Sequence, residues 1–298
     1  MKFHLAVRRR IGIAAAIIVA LAAVAGCQSA RSGPRDAAKA SAPMSSRSPV
    51  VAAAVPAPPQ PTVIQPDLAY YAPPVTAWQG AAGKTVILDA GHGGHDTGAR
   101  HFGLQEKDIN LELALRTATL LRSRGCNVVL TRSSDAFVPL PERSAIANRH
   151  PNAVFVSIHV NAVENNPGIC GVETFVLSSG QSDSERGQAA AGRFRAQGME
   201  ADAGRQALAN LAAQSSSRGP ALASSLQRTL CGRLGEADRG VKRKNLAVLR
   251  ETYFGPAALV EVGFMTNPRS AAQMHTEDWR RRTSEALCDG IVNFLGQR

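Results

Sequence analysis

The sequence predicts an α/β domain, with a single central, mostly parallel sheet flanked by helices. Three observations predict it. Short β-rich runs alternate with amphipathic stretches in strand–helix–strand–helix–strand order between about residues 85 and 158, the order that implies parallel pairing. The roughly 215 residues from Lys84 to Arg298 suit one domain around one core. No internal repeat and no second long apolar segment interrupts them.

The elements follow in order. Thr85-Val-Ile-Leu-Asp89 is the first strand, closed by the turn-forming Gly91-His-Gly-Gly94. A helix is expected over 106–123, where Leu111, Ala114, Ala118 and Leu121 lie at helical spacing and Gly125 makes a stop. A strand over 127–131, a helix over 141–148 and a strand over 153–158 come next. Later expectations are a strand over 171–177, a helix over 221–234, strands over 246–250 and 257–261, and a closing helix over 279–295. Residues 179–219, rich in Gly, Ser, Ala and Gln, are long for a simple connection and read as an insertion or lid.

Ahead of the domain, residues 1–26 read as an export signal. Lys2, Arg8, Arg9 and Arg10 precede an apolar run over 11–25. That run is shorter than the roughly 18 to 20 residues needed to cross a bilayer. It ends in Val24-Ala25-Gly26-Cys27, which resembles the lipobox of bacterial lipoproteins, with the Cys27 thiol as the group that receives the lipid. The plainer alternative is an ordinary cleaved signal with an incidental cysteine. The Ala- and Pro-rich residues 27–83 then form a tether, too poor in apolar surface to offset the entropy of ordering. Gln28 after the cysteine, in place of aspartate, points to an outer-membrane anchor facing the periplasm.

The formal net charge is +11, with four positive charges in the first ten residues. A basic surface suits nucleic acid or an anionic envelope polymer; export favours the second, and no nucleic-acid motif accompanies the charge. Cys126, Cys170, Cys231 and Cys288 match no zinc-ribbon spacing and are expected as mostly free thiols.

Four polar groups fall at element ends. His92 follows the first strand, Glu106 opens the helix after it, His159 closes the third strand and Glu261 closes the last. Sites in open α/β sheets gather at the carboxyl ends of parallel strands, where all four would converge. Two imidazoles and one carboxylate make a catalytic zinc set with a position left open for water. Glu261 would then take a proton from that water and pass it to a departing amine. Each residue also has a bland role: His92 as a turn residue, His159 as a satisfied core histidine, Glu106 as a charge at a helix N-terminus. Glu261 after Ala-Ala-Leu-Val resists one, because a carboxylate at the end of a buried strand needs a partner.

Val86-Ile-Leu-Asp-Ala-Gly-His-Gly-Gly-His-Asp-Thr-Gly-Ala99 resembles the opening motif of the zinc-dependent N-acetylmuramoyl-L-alanine amidases. The resemblance continues through Glu106-Lys-Asp-Ile-Asn110, Leu130-Thr-Arg132, Ser157-Ile-His-Val-Asn161, Asp238-Arg-Gly-Val-Lys242, Leu246-Ala-Val-Leu-Arg250 and Leu259-Val-Glu-Val-Gly-Phe264. It implies His92, Glu106 and His159 as zinc ligands and Glu261 as the catalytic carboxylate. It also implies a substrate, the peptidoglycan amide between the lactyl group of N-acetylmuramic acid and L-alanine of the stem peptide. Arg132, Asn161 and Arg250 match motif positions, either as substrate contacts or as scaffold. Alternatives are a zinc peptidase cutting another wall amide and a non-catalytic peptidoglycan-binding lipoprotein.

Two departures stand out. His95 occupies a position that is commonly Lys in the family, and is expected to be solvated. Some relatives carry, where residues 179–219 lie, an inhibitory helix that an activator protein displaces. Glu185, Glu200 and Asp202 are the groups here that would reach a metal, and if they block it, removing residues 183–212 should raise activity.

Overall fold

The computed structural model describes residues 80–178 and 202–297. The export signal, Cys27, the tether up to residue 79 and the segment 179–201 lie outside the described residues. Eight strands and six helices are described: β1 (Thr85–Ala90), β2 (Arg100–His101), β3 (Leu104–Gln105), α1 (Glu106–Ser123), β4 (Asn127–Leu130), α2 (Leu140–Asn148), β5 (Val154–Asn161), β6 (Val172–Leu177), α3 (Asp202–Leu234), β7 (Asp238–Lys244), α4 (Ala247–Arg250), β8 (Ala257–Phe264), α5 (Pro268–Met274) and α6 (Glu277–Gly296).

The fold is α/β with a six-stranded sheet in the order β4-β1-β5-β8-β6-β7. Strands β4, β1, β5 and β8 pair in parallel; β6 runs antiparallel to β8, and β7 parallel to β6. β2 and β3 form a small separate hairpin. Parallel pairing follows from the helices between strands, since a two-residue turn cannot return the chain in the same direction.

Strand alternation divides the core into two layers. Val86, Leu88, Val154, Val156, Ile158, Ala258, Val260 and Val262 face the larger layer with α1, α3 and α6. Ile87, Phe155, Phe175 and Leu259 face a smaller one with Ala147 of α2 and Val248 and Leu249 of α4. Leu222, Leu226 and Leu230, one turn apart on α3 and fully buried, carry the α3–α6 contact. Each such side chain contributes about 1.5–3 kcal/mol by leaving water.

Two expectations change, and two further elements, β7 and α5, were not expected. Residues 246–250, read as a strand, form the short helix α4 instead; Leu246-Ala-Val-Leu is apolar enough for either, and periodicity cannot separate a short strand from one helical turn. The strand there is β7, whose sequence Asp-Arg-Gly-Val-Lys-Arg-Lys hides it because it is a sheet edge with no fully buried residue. The helix expected from residue 221 begins at Asp202 and runs through Pro220. Helix α5 has its start signals in sequence, Asn267 capping Ser270 N at 3.0 Å and Pro268 in the first turn. Among the described residues no helix is long and apolar enough to cross a membrane.

Candidate metal centre and catalytic carboxylate

Three strands and one helix deliver the side chains. The turn after β1 carries His92, α1 begins with Glu106, and β5 and β8 place His159 directly beside Glu261 in register. One step further, Glu261 lies opposite Glu173 on β6. Residues directly opposite on paired strands share a face, so His159, Glu261 and Glu173 form a row across the sheet.

His92, Glu106 and His159 come together: one ligand atom from each lies within 4.8 Å of the others. His92 Nε2 stands 3.2 Å from Glu106 Oε1, and His159 Nδ1 2.9 Å from the same oxygen. The two imidazole rings meet edge to face at 5.0 Å. Glu106 is also held by the backbone and by Asn110: Val160 N donates to Oε1 at 3.2 Å, Asn110 Nδ2 to Oε1 at 3.3 Å and Ala99 N to Oε2 at 2.9 Å. His92 donates from Nδ1 to Asp96 Oδ2 at 2.9 Å, leaving Nε2 turned into the cluster.

The loop bearing His92 is held tightly. Gly91 is required there because a Cβ would stand 2.2 Å from the His159 ring. His92 itself sits at φ +61°, a region most side chains avoid. Two buried arginines hold this backbone. Arg143 Nη2 donates to His92 O at 2.7 Å, while Arg132 donates to Ala90 O and Gly91 O, both at 2.9 Å. Arg143 also pairs with Oδ1 of the fully buried Asp89 at 2.7 Å; Thr131 donates to the same oxygen and Ser157 to Oδ2. Arg132 therefore serves the scaffold.

Burial alone disfavours charge on the imidazoles, but the shared Glu106 carboxylate outweighs it. His92, with Asp96 as well, is raised to about 9, and His159 is raised also. Burial would lift Glu106, yet hydrogen bonds from His159 and His92 hold it well below the usual carboxylate range. Glu261 goes the other way. Burial pushes it up to about 7, against the pull of His159 and reinforced by Glu106 and Glu173. Among the described residues its buried Oε2 has no hydrogen-bond partner.

The donor set fits a metal ion. Two imidazoles and a carboxylate converge on one point, rigidly oriented from behind by Asp96 and the backbone, and the cation would replace the protons they now share. An unpartnered carboxylate next to such a point is positioned to exchange protons rather than to hold the fold.

The other sequence candidates sit elsewhere. Asn161 donates to Glu173 Oε1 at 2.8 Å and accepts from Ala162 N through Oδ1. Arg250, at the end of α4, contacts Asn245 and Glu251. His95 is exposed, its ring 4.2 Å from that of Phe137. Sequence reasoning gave no role to Glu173, Asp89, Arg143 or Asp96. A lone glutamate in the run Val172-Glu-Thr-Phe-Val-Leu177 was the available signal for Glu173.

A family model described as N-acetylmuramoyl-L-alanine amidase matches residues 86–293. The chain is 33% identical over 226 residues to YqiI of Bacillus subtilis, covering 76% of this chain and 92% of that protein. It is 32% identical over 212 residues to the N-acetylmuramoyl-L-alanine amidase LytC of the same organism, covering 71% of this chain but 36% of LytC. Among solved structures, AmiC2 of Nostoc punctiforme, an N-acetylmuramoyl-L-alanine amidase, superposes with a TM-score of 0.57 at 31% identity, covering 72% of this chain and 99% of that one. With the family match spanning the sheet, its helices and all four site residues, this chain belongs to the N-acetylmuramoyl-L-alanine amidase family, a family of enzymes.

Proposed function

We propose that this chain hydrolyses the peptidoglycan amide between N-acetylmuramic acid and L-alanine in a zinc-dependent reaction. His92, Glu106 and His159 hold the ion and Glu261 moves the proton. The observation that carries this is the buried, partnerless Glu261 Oε2 beside the His92–Glu106–His159 cluster. When bound, zinc supplies a Lewis acid that polarises a carbonyl and acidifies water. His92 presents Nε2, its ring fixed from behind by Asp96, and His159 presents Nδ1 toward Glu106. Glu261, lifted to about 7, is basic enough to take a proton from the attacking water and acidic enough to return it. As the new carbon–oxygen bond forms and the carbon–nitrogen bond breaks, the protonated Glu261 gives that proton to the departing amine nitrogen, and no covalent enzyme intermediate is needed.

Digestion of purified peptidoglycan followed by mass spectrometry tests the bond. Peptides beginning with L-alanine, beside peptide-free glycan, are expected; cuts inside the peptide or between sugars would sink the assignment. Glu261→Gln should keep zinc and lose about a hundredfold or more in turnover. An active variant would remove the role given to Glu261.

The lipid anchor at Cys27 and a periplasm-facing outer-membrane location belong to the same proposal, supported by the sequence over 1–83. Cys27→Ser should move the protein from the membrane to the soluble fraction of cells; continued membrane association would count against the anchor.

A further inference from the structure

One charged group near the site plays no part in the proton transfer. Glu173 is almost fully buried, its side chain 6% exposed, and carries two cations from the edge strand β7. Arg239 Nε donates to Glu173 Oε2 at 3.2 Å, and Lys242 Nζ donates to the same oxygen. Arg239 is further fixed by the Phe264 ring, 5.0 Å from its Cζ. Both cations reach solvent, Arg239 at 33% and Lys242 at 41% exposure. Because Arg239 uses only Nε on Glu173, its two Nη groups hydrogen-bond to nothing else among the described residues. Within this group one carboxylate faces two cations, and the free end of the guanidinium fork stands on β7, two strands across the sheet from Glu261 on β8.

Such a fork, held by its stem with its terminal nitrogens free, is the geometry that accepts a carboxylate bidentately. The substrate class narrows the ligand. In the proposed substrate the lactyl carboxyl of the sugar is bound in the amide, so the free carboxylates belong to the peptide. We propose that Arg239 and Lys242, anchored on Glu173, form a subsite that binds a carboxylate of the stem peptide and so selects acidic over amidated peptides. This rests on the amidase reading for the identity of the ligand. Asn161, which donates to the other oxygen of Glu173, is a positioning residue for this subsite.

The test uses two ligands, N-acetylmuramoyl-L-alanyl-D-glutamic acid and its diamide, titrated calorimetrically into zinc-loaded full chain carrying Glu261→Gln to prevent turnover. The acid should bind roughly tenfold or more tightly than the diamide, the discrimination expected of a charge-assisted hydrogen bond. Arg239→Gln with Lys242→Met should remove the difference by weakening the acid alone, while Lys242→Arg should keep it. Equal binding of acid and diamide to the parent protein would overturn the subsite whatever the variants do. So would a preference that survives the double substitution. Cleavage of peptidoglycan by the unsubstituted chain reads the reaction separately: acid-selective binding without cleavage would count against the amidase reading and leave the subsite standing.

Discussion

Asp96 is the residue on which the orientation of His92 turns. His92 occupies the left-handed region of backbone space, a conformation that persists only where surrounding contacts determine it. Arg143 fixes its carbonyl from one side, and Asp96 fixes its ring from the other while also accepting from Gly98 N at 3.2 Å. A carboxylate behind a metal-binding imidazole selects the tautomer and raises ligand basicity. Asp96→Asn keeps an acceptor for Gly98 N but loses the charge. It should therefore leave the fold intact and weaken zinc binding about ten- to a hundredfold. Competition against a chromogenic chelator measures this without reference to activity, and an unchanged affinity would show that Asp96 serves the turn only. At this scale His92, Glu106 and His159 were legible because each stands at or near the end of an element, and Glu261 because a carboxylate interrupts an apolar strand; that strand runs on to Phe264, so Glu261 lies inside it rather than closing it. Glu173 was not legible, because its meaning depends on register: only the antiparallel β6–β8 pairing puts it opposite Glu261.

Elements with strong apolar periodicity were legible and those governed by tertiary contact were not. Strands β1, β4 and β5 and helices α1 and α6 announce themselves because one or both faces are buried and flanking Gly or polar caps mark their ends; Thr276, for instance, caps α6 by accepting from Trp279 N at 3.2 Å. Edge strand β7 and the helix through Pro220 carry no such local signal. What holds α3 to α6 is a close crossing at Gly290. A Cβ there would meet Leu226 Cα at 3.0 Å and Thr229 Oγ1 at 2.6 Å, while Ser225 Oγ donates to Gly290 O at 2.8 Å. Two effects compete in Gly290→Ala. Alanine gains up to about 1 kcal/mol of helix propensity, whereas forcing a methyl into a packed crossing costs about 1–3 kcal/mol. Packing should win, and the denaturant midpoint should fall. A rise would mean that the helices separate at no cost.

Across the whole molecule, the cysteines report how the core is sealed. All four described thiols are free: Cys126 and Cys288 are buried, Cys170 and Cys231 half-buried. Burial pushes Cys288 up to about 12 and raises Cys126, and burial with the Asp238 charge lifts Cys231 to about 11. Thiolate is the reactive form, so alkylation of the native protein at pH 8 should label Cys170 first and reach Cys126 and Cys288 only on unfolding. Mass spectrometry after timed quenching reads the order, and early labelling of Cys288 would contradict a sealed α6 interface. The same burial sets a pH dependence. In the unfolded chain Cys288 releases its proton near 9, whereas the folded chain retains it to about 12. Above pH 9 the folded state therefore binds more protons than the unfolded one, and the contribution of this group to stability is complete below pH 9 and declines between 9 and 12. Replacing Cys288 by Ala removes the titrating group but also a buried atom. The variant should start less stable at pH 8 and lose less between pH 8 and 10.5 than the parent does. Equal losses in parent and variant, measured as denaturant midpoints, would place the alkaline sensitivity elsewhere.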